Sequence, residues 1–323
     1  ILHDAVKQYL EMNPLNEYGF SGWVGPEPHG ALLGNSGIIR DPLIADRTVR
    51  WLEDRYRRRN LGDSDALKPF LLVVSFVNPH DIVLLPLYMR RPENNPYLSS
   101  DFDPPDIPIP PTRYEDLSSK PAAQIAYKYS YYSGYGVQRA VQRLYESNEQ
   151  EYRNLYYRMH LEVDNPLDMV RKAVITDGSR EKIIFRTSDH GDLLGAHGGL
   201  HQKWFNLYDE ATRVPFEIVK YGGTQSPKAV IDSVPTSHVD LIPTALALAG
   251  LDQNYLGEHL APQFSEFHPL PGRDLSPLLE DPGISEFKNR AVYFMTRDNM
   301  LEGDTLASAM ARGLGQAEKP PRA

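Results

Sequence analysis

Short apolar runs alternate with amphipathic stretches along the chain, which is the pattern of an α/β protein. Residues 70–77 and 182–187 read as buried strands because they are short, largely apolar and bounded by polar turn residues. Helical spacing follows Asp41-Pro42, where an acidic N-cap and a first-turn proline predict a helix start, and returns over residues 152–174. Since helices and strands alternate, we expect an α/β fold with a large, mostly parallel sheet flanked by helices.

Composition narrows the classes of function. A net charge of −9 over 323 residues, without a basic stripe, argues against nucleic acid as a partner. The longest apolar run, residues 70–77, is far too short to span a membrane, and no signal-peptide pattern opens the chain. The absence of Cys excludes a disulfide, a thiolate nucleophile and a Cys zinc site for these residues. Bacterial cytoplasm and periplasm both stay open, as does a homo-oligomeric state.

Polar residues concentrate where the strand over residues 182–187 ends, at Ser188-Asp189-His190-Gly191. In an open α/β sheet, ligands bind just beyond the carboxyl ends of strands. Neighbouring residues of a strand point to opposite faces, so Asp189 and His190 can bind one ion only if the backbone turns between them. Gly191 permits such a turn. The alternative for this tetrapeptide is a polar turn that satisfies only local backbone groups.

The residues after this turn favour a site over a plain turn. Two acids, three histidines, four glycines and a lysine lie within about fifteen residues of one another. Among them Asp192, His201 and Lys203 are candidates beside Asp189 and His190. A solvated turn has no need of this set.

The whole stretch resembles a family signature. Residues 188–203 (SDHGDLLGAHGGLHQK), followed by residues 208–216 (YDEATRVPF), are similar to the second half of the sulfatase signature in the alkaline-phosphatase superfamily. The resemblance implies an alkaline phosphatase-like fold and a metal-dependent hydrolase of sulfate esters. It also implies that residues 1–280 form the α/β core and that residues 281–323 belong to a smaller C-terminal subdomain.

The resemblance implies a role for each candidate. Asp189 and His190 are expected to bind the metal ion. His80 matches by position a sulfatase histidine that contacts the sulfate or the leaving group, with a turn histidine as the alternative. Lys203 is expected to face the non-bridging oxygens of the ester, with His201 as a further substrate-binding residue. His80 and Lys203 are therefore the expected catalytic residues.

The expected cofactor is a divalent metal ion. The mixed oxygen and nitrogen donors of Asp189 and His190 leave manganese, magnesium and zinc open, and the family resemblance favours calcium. The expected partner is a small-molecule sulfate or phosphate ester.

Two features of the family are absent from this sequence. Sulfatases typically carry a Cys/Ser-X-Pro-X-Arg motif near the N-terminus, where the Cys is oxidised to formylglycine, after a strand that ends in paired aspartates; neither occurs here. We therefore expect that the chain is truncated at its N-terminus. Whether it is catalytically active by itself stays open. Three rival functions remain. The first is a phosphomonoester, phosphodiester or phosphonate monoester hydrolase of the same superfamily, and the second is a non-catalytic relative that acts in binding. The third, an unrelated nucleotide-binding α/β domain, is disfavoured because no Gly-X-Gly-X-X-Gly or Walker sequence follows a strand.

Overall fold

The structure, a computed structural model, describes residues 7–8, 11–13, 15–20, 33–99, 105–122, 124–125, 128, 139–203, 206–222 and 234–295. These residues belong to two compact units, one that ends at Gly222 and one within residues 223–297. The expected domain boundary at residue 280 stays a prediction. Among the described helices, none is long and apolar enough to cross a membrane.

Helices dominate the first unit. They are α1 (Gly37–Asn60), α2 (Ser64–Leu67), α3 (Leu85–Arg90), α4 (Arg139–Ser147), α5 (Glu149–Thr176), the single turn α6 (Ala196–Gly199) and α7 (Asp209–Thr212). Short 3-10 turns lie at Asn16–Tyr18, Leu33–Asn35, His80–Leu84, Pro92–Asn94, Pro96–Ser99 and Leu117–Ser119. The long helix α5 confirms the helix predicted over residues 152–174.

The helix α1 begins earlier than the sequence predicts. Ser36 occupies the N-cap position and Pro42 lies inside the helix, so the predicted start at Asp41-Pro42 is wrong. The Asp41 side chain instead accepts hydrogen bonds from the backbone N–H groups of Val77 (2.6 Å) and Asn78 (3.1 Å). These donors are distant in sequence, and Asp41 therefore joins α1 to the end of the run over residues 70–77.

The described residues form one two-stranded sheet. Strand β1 (Lys182–Thr187) pairs antiparallel with β2 (Phe216–Tyr221). Arg186 and Glu217 lie opposite each other and form an ion pair with a separation of 2.5 Å. The prediction of β1 is confirmed, whereas the expected parallel pairing is not found in this part of the chain.

Residues 70–77 have no hydrogen-bonded strand partner among the described residues. Leu71 and Val73 are 69% and 68% exposed, so the run is not the buried central strand that its composition predicts. A strand is stable only where a neighbour satisfies its backbone N–H and C=O groups, and apolar composition alone does not supply that neighbour.

The core of the first unit lies between α5 and the 3-10 turn at residues 80–84. Half of its buried residues are tyrosines; the cluster consists of Ile82, Leu85, Tyr88, Tyr97, Tyr145, Tyr152, Leu155 and Met159. Helix α1 packs along α5, where the Tyr56 hydroxyl donates to the Val174 carbonyl oxygen. Helix α5 is thus the element on which the rest of this unit is assembled.

The second unit contains α8 (Leu241–Leu248), α9 (Gln253–Leu260) and α10 (Pro277–Glu280), with 3-10 turns at His238–Asp240, Ala261–Gln263 and Ser285–Phe287. The fully buried Asp240 carboxylate accepts hydrogen bonds from the backbone N–H groups of Ser237 (2.8 Å) and Arg273 (2.9 Å). The Arg290 guanidinium donates two more, at 2.5 and 2.7 Å. Burial raises the pKa of Asp240, but these donors outweigh it and lower the pKa below its ordinary value.

Replacing Arg290 by Met should lower the free energy of unfolding by about 3–5 kcal/mol, because the buried carboxylate loses its cation. The pKa of Asp240 is lower in the folded state than in the unfolded chain, so its contribution is complete above about pH 4 and is lost as the pH falls further. Urea unfolding at pH 7 and pH 3 measures both effects. Arg273→Met is the control, since this exposed side chain leaves the backbone contact intact. Equal losses in the two variants would contradict the assignment.

Candidate functional site

The end of β1 brings a carboxylate and an imidazole together. The Asp189 side chain is 81% exposed, and its Oδ2 lies 3.3 Å from Nε2 of the partly exposed His190. His190 Nδ1 lies 2.9 Å from the Gly191 carbonyl oxygen. Because a carbonyl oxygen can only accept a hydrogen bond, the neutral ring carries its proton on Nδ1 and keeps a lone pair on Nε2. The two residues therefore present an oxygen and a nitrogen donor to one point.

This donor pair fits one edge of a cation's coordination shell. Oxygen ligands that bind calcium at right angles to each other lie about 3.3–3.7 Å apart. Ligating histidines commonly donate the other ring N–H to a backbone carbonyl, as His190 does. Two donors do not complete a shell, and the described part of the chain contains no group of three or more His, Asp or Glu side chains that could hold a metal. Asp189 and His190 thus fit a metal site in part.

A close approach of two backbone segments requires glycine at position 191. The Gly191 N–H donates to the Ala211 carbonyl oxygen at 2.9 Å, and a Cβ on Gly191 would lie 2.0 Å from the Glu210 carbonyl oxygen. The φ of Gly191 lies outside the left-handed region. What requires glycine here is therefore the close approach and not a left-handed conformation, because glycine allows the start of α7 to pack against the end of β1.

Residues 191–203 fold back on themselves and return Lys203 to the end of β1. The Leu193 N–H donates to the Gln202 carbonyl oxygen at 2.8 Å, and the Gln202 amide donates to the Tyr145 hydroxyl at 2.8 Å. Left-handed backbone makes this reversal compact; it occurs at Leu194, Gly195, His197, Gly198, Gly199 and Gln202.

Asp192 anchors this loop to α5. It is buried, and its Oδ1 accepts hydrogen bonds from the Tyr152 hydroxyl at 2.6 Å and from the Leu194 N–H at 2.9 Å. Burial raises the pKa of Asp192, while these hydrogen bonds and the charges of Lys203 and His201 oppose the rise. Asp192 therefore holds the loop in place from within the core, whereas Asp189 faces solvent.

Lys203 is partly buried beside two carboxylates. Burial lowers the pKa of Lys203, and the negative charges of Asp192 and Asp189 oppose this effect. The structure thus brings the predicted cationic residue within electrostatic reach of the predicted metal-binding acid.

His201 is a packed side chain, 1% exposed. Its ring stacks on Tyr145 with centroids 4.8 Å apart, and its Nε2 lies 3.8 Å from Glu149 Oε1. Burial lowers the pKa of His201, although Glu149 opposes the shift. The predicted contact of His201 with substrate stays a prediction; its observed neighbours are protein side chains.

His80 follows the cis peptide bond between Asn78 and Pro79 and has a side chain that is 41% exposed. Its Nδ1 lies 3.9 Å from Asp81 Oδ1. The 3-10 turn that begins at His80 packs into the tyrosine-rich core on α5. His80 and the loop anchored by Asp192 therefore rest on the same helix.

A histidine without a predicted role is held between two carboxylates. His197 Nδ1 lies 2.9 Å from Glu115 Oε2, its Nε2 lies 3.1 Å from Glu210 Oε2, and its ring stacks on Tyr208. Hydrogen bonds from Lys120 and His197 lower the pKa of Glu115. Glu115 is 82 residues from His197 in sequence, so no local pattern signals a contact that joins the loop to the proline-rich segment before α4.

Comparison with known proteins places these features in a family context. A model of the sulfatase family matches residues 4–251. The uncharacterized sulfatase YidJ of Escherichia coli (strain K12) is 27% identical over 248 residues, which are 76% of this chain and 41% of that protein. The choline-sulfatase of Rhizobium meliloti (strain 1021) is 27% identical over 217 residues, or 66% and 38% of the two chains.

The solved structure of a 2-O GAG sulfatase is similar to this chain with a TM-score of 0.53 at 22% identity, covering 79% of this chain and 48% of that one. This likeness supports the fold alone, and it confirms the predicted α/β, alkaline phosphatase-like class. The chain spans less than half the length of each of these three proteins.

Replacing Gly191 by Ala should lower the free energy of unfolding by about 1–3 kcal/mol, because the new Cβ cannot lie 2.0 Å from the Glu210 carbonyl oxygen without moving the backbone. Gly178→Ala is the matched control: a Cβ there meets no atom within 4 Å, and its effect should stay within about 0.5 kcal/mol. Thermal and urea unfolding compare the two. A Gly191→Ala protein as stable as the control would refute the close approach.

Proposed function

Because the chain belongs to the sulfatase family, we propose that it hydrolyses sulfate esters with the help of a divalent cation held in part by Asp189 and His190. Sulfatases are sulfuric ester hydrolases, and the family generally uses a divalent metal ion. The substrate in this proposal is a small-molecule sulfate ester. The names of the choline-sulfatase and of the 2-O GAG sulfatase indicate different sulfated compounds, so the alcohol portion is left unassigned.

The pairing of Asp189 with His190 is the observation that carries this proposal. A carboxylate and an imidazole 3.3 Å apart, with the second ring nitrogen occupied by a backbone carbonyl, suit a cation better than they suit a polar turn. We favour calcium, as the family resemblance does, while manganese, magnesium and zinc also accept a mixed oxygen and nitrogen pair. When bound, the cation would supply positive charge against the oxygens of the ester.

In the proposed reaction, Lys203 binds the non-bridging oxygens of the sulfate group. Its ammonium places a positive charge where negative charge accumulates as the ester bond breaks. Partial burial strengthens this attraction, because a less polar medium screens charges less. The neighbouring Asp189 and Asp192 favour the charged form of the lysine.

His80 is the proposed proton donor. Hydrolysis breaks the bond between the sulfate group and the leaving oxygen, so that the sulfate group gains a hydroxyl from water and the leaving oxygen gains a proton. A partly exposed imidazole can reach a bound ester and give a proton to its leaving oxygen. The buried His201 acts in this proposal through the loop that it packs.

Replacing Asp189 by Asn in the protein made from its complete coding sequence should lower kcat/KM for 4-nitrophenyl sulfate by about 100-fold, because the cation loses its anionic ligand. Calorimetric titration with calcium should show weaker binding in the same variant. Glu53→Gln is the control, since Glu53 is also an exposed acid but lies in α1.

Hydrolysis by Asp189→Asn at the unmodified rate would refute the metal role. If kcat/KM were higher for 4-nitrophenyl phosphate than for 4-nitrophenyl sulfate, the protein would be a phosphoesterase and the proposed sulfatase activity would be refuted. Calcium binding without turnover of either ester would instead indicate a non-catalytic protein.

A further inference from the structure

We propose that Asp81 is a positioning residue that fixes the tautomer and orientation of His80. The inference rests on the proposed function in one respect, namely that His80 gives a proton to the leaving oxygen. The geometry around Asp81 carries it, and that geometry differs between the two carboxylate oxygens.

One oxygen of Asp81 is fully engaged in the core. The residue has no solvent exposure, and its Oδ2 accepts a hydrogen bond from the Gly37 N–H at 2.8 Å. The Tyr97 hydroxyl lies 3.0 Å from the same oxygen and shares its proton between Asp81 Oδ2 and Asn78 Oδ1, which is 2.6 Å away. These donors come from the first turn of α1 and from the 3-10 turn at Pro96–Ser99. The orientation of the carboxylate is therefore set by two elements that do not include His80.

The other oxygen of Asp81 is directed at the imidazole. Oδ1 is buried and has no hydrogen-bond partner among the described residues, and His80 Nδ1 lies 3.9 Å from it. A buried carboxylate oxygen without a donor is unfavourable, so a small rotation that brings Nδ1–H into hydrogen-bond range stabilises the pair. At 3.9 Å the two atoms are too far apart for a hydrogen bond, and the rotation would shorten this distance.

The charges around Asp81 favour such a pair. Burial raises the pKa of Asp41 to about 6, with the charge of Asp81 adding to it, and the same two causes raise the pKa values of Tyr88 and Tyr97. Acids and phenols thus face Asp81 from α1, α3 and the Pro96–Ser99 turn. Among the ion pairs of the described residues, Asp81 pairs only with His80.

The proposed consequence concerns the second ring nitrogen. When Nδ1–H donates to Asp81 Oδ1, His80 Nε2 is the nitrogen that gains and gives up a proton. The ionised Asp81 stabilises the imidazolium before the transfer. The proton passes from Nε2 to the leaving oxygen, His80 returns to the neutral Nδ1–H tautomer, and Asp81 keeps its charge throughout.

The test measures the tautomer of His80 by ¹⁵N NMR of histidine-labelled protein, with His80→Gln used to assign its signals. The unmodified protein should show the Nδ1–H form of the neutral ring. In Asp81→Asn, the Gly37 and Tyr97 donors keep the amide oxygen at the Oδ2 position, so the NH₂ group faces His80 and should shift the proton to Nε2. A neutral Nε2–H ring in the unmodified protein overturns the inference without any variant.

Tyr97→Phe is the matched control. It removes a donor from the same carboxylate but on the Oδ2 side, so it should lower the melting temperature and leave the Nδ1–H tautomer of His80 unchanged. If Asp81 were only structural, the two variants would lower the melting temperature and neither would change the tautomer. That result would also overturn the inference.

The kinetic test uses 4-nitrophenyl sulfate. We expect Asp81→Asn to lower kcat by about 10-fold or more with KM nearly unchanged, and to move the alkaline limb of the pH profile of kcat to lower pH. A change in KM alone would count against the inference. If the unmodified protein hydrolyses no sulfate ester, the proposed function fails, whereas the tautomer measurement still decides the relation of Asp81 to His80.

Discussion

The hydrogen bond from the Tyr152 hydroxyl to the buried Asp192 carboxylate is the contact on which the site depends. A carboxylate that is removed from water must find donors inside the protein, and Tyr152 supplies one from the first turn of α5. The Leu194 N–H, from the loop itself, is the second donor to Asp192, so the Tyr152 hydroxyl is the donor that ties the loop after β1 to α5. This connection directs Asp189 outward and allows the chain to return at Lys203.

The same arrangement occurs beside His80. The Tyr97 hydroxyl donates to Asp81, as the Tyr152 hydroxyl does to Asp192, and both tyrosine rings lie in one buried cluster. Tyrosine suits this task because its ring packs as a large apolar group while its hydroxyl satisfies a polar atom at the edge of the core. One tyrosine-rich core therefore holds both buried acids, Asp81 and Asp192. Through these hydroxyl groups the core fixes the turn at His80 and the loop after β1.

Local sequence predicts the features that depend on local chemistry. The strand β1, the helix α5 and the approach of His190 to Asp189 follow from residues that are neighbours in the chain. The requirement for glycine at position 191, by contrast, comes from the nearby Glu210 carbonyl oxygen. The contact of His197 with a carboxylate likewise involves a residue 82 positions away, Glu115. The run over residues 70–77 shows the same limit, because composition predicts a strand but only a partner segment makes one.

Asp189 and Asp192 show how position alone divides one residue type between two tasks. Asp192 is enclosed and its charge is used by internal donors, whereas Asp189 is 81% exposed and free to meet a ligand from solvent. The negative charges of Asp189 and Asp192 both act on Lys203, so the positive charge of the lysine is offset by its neighbours. A sulfate ester is itself an anion and is attracted less strongly by a lysine whose charge is offset in this way. In the proposed site, a cation held by Asp189 and His190 would add positive charge, which is a physical reason for ester binding to follow metal binding.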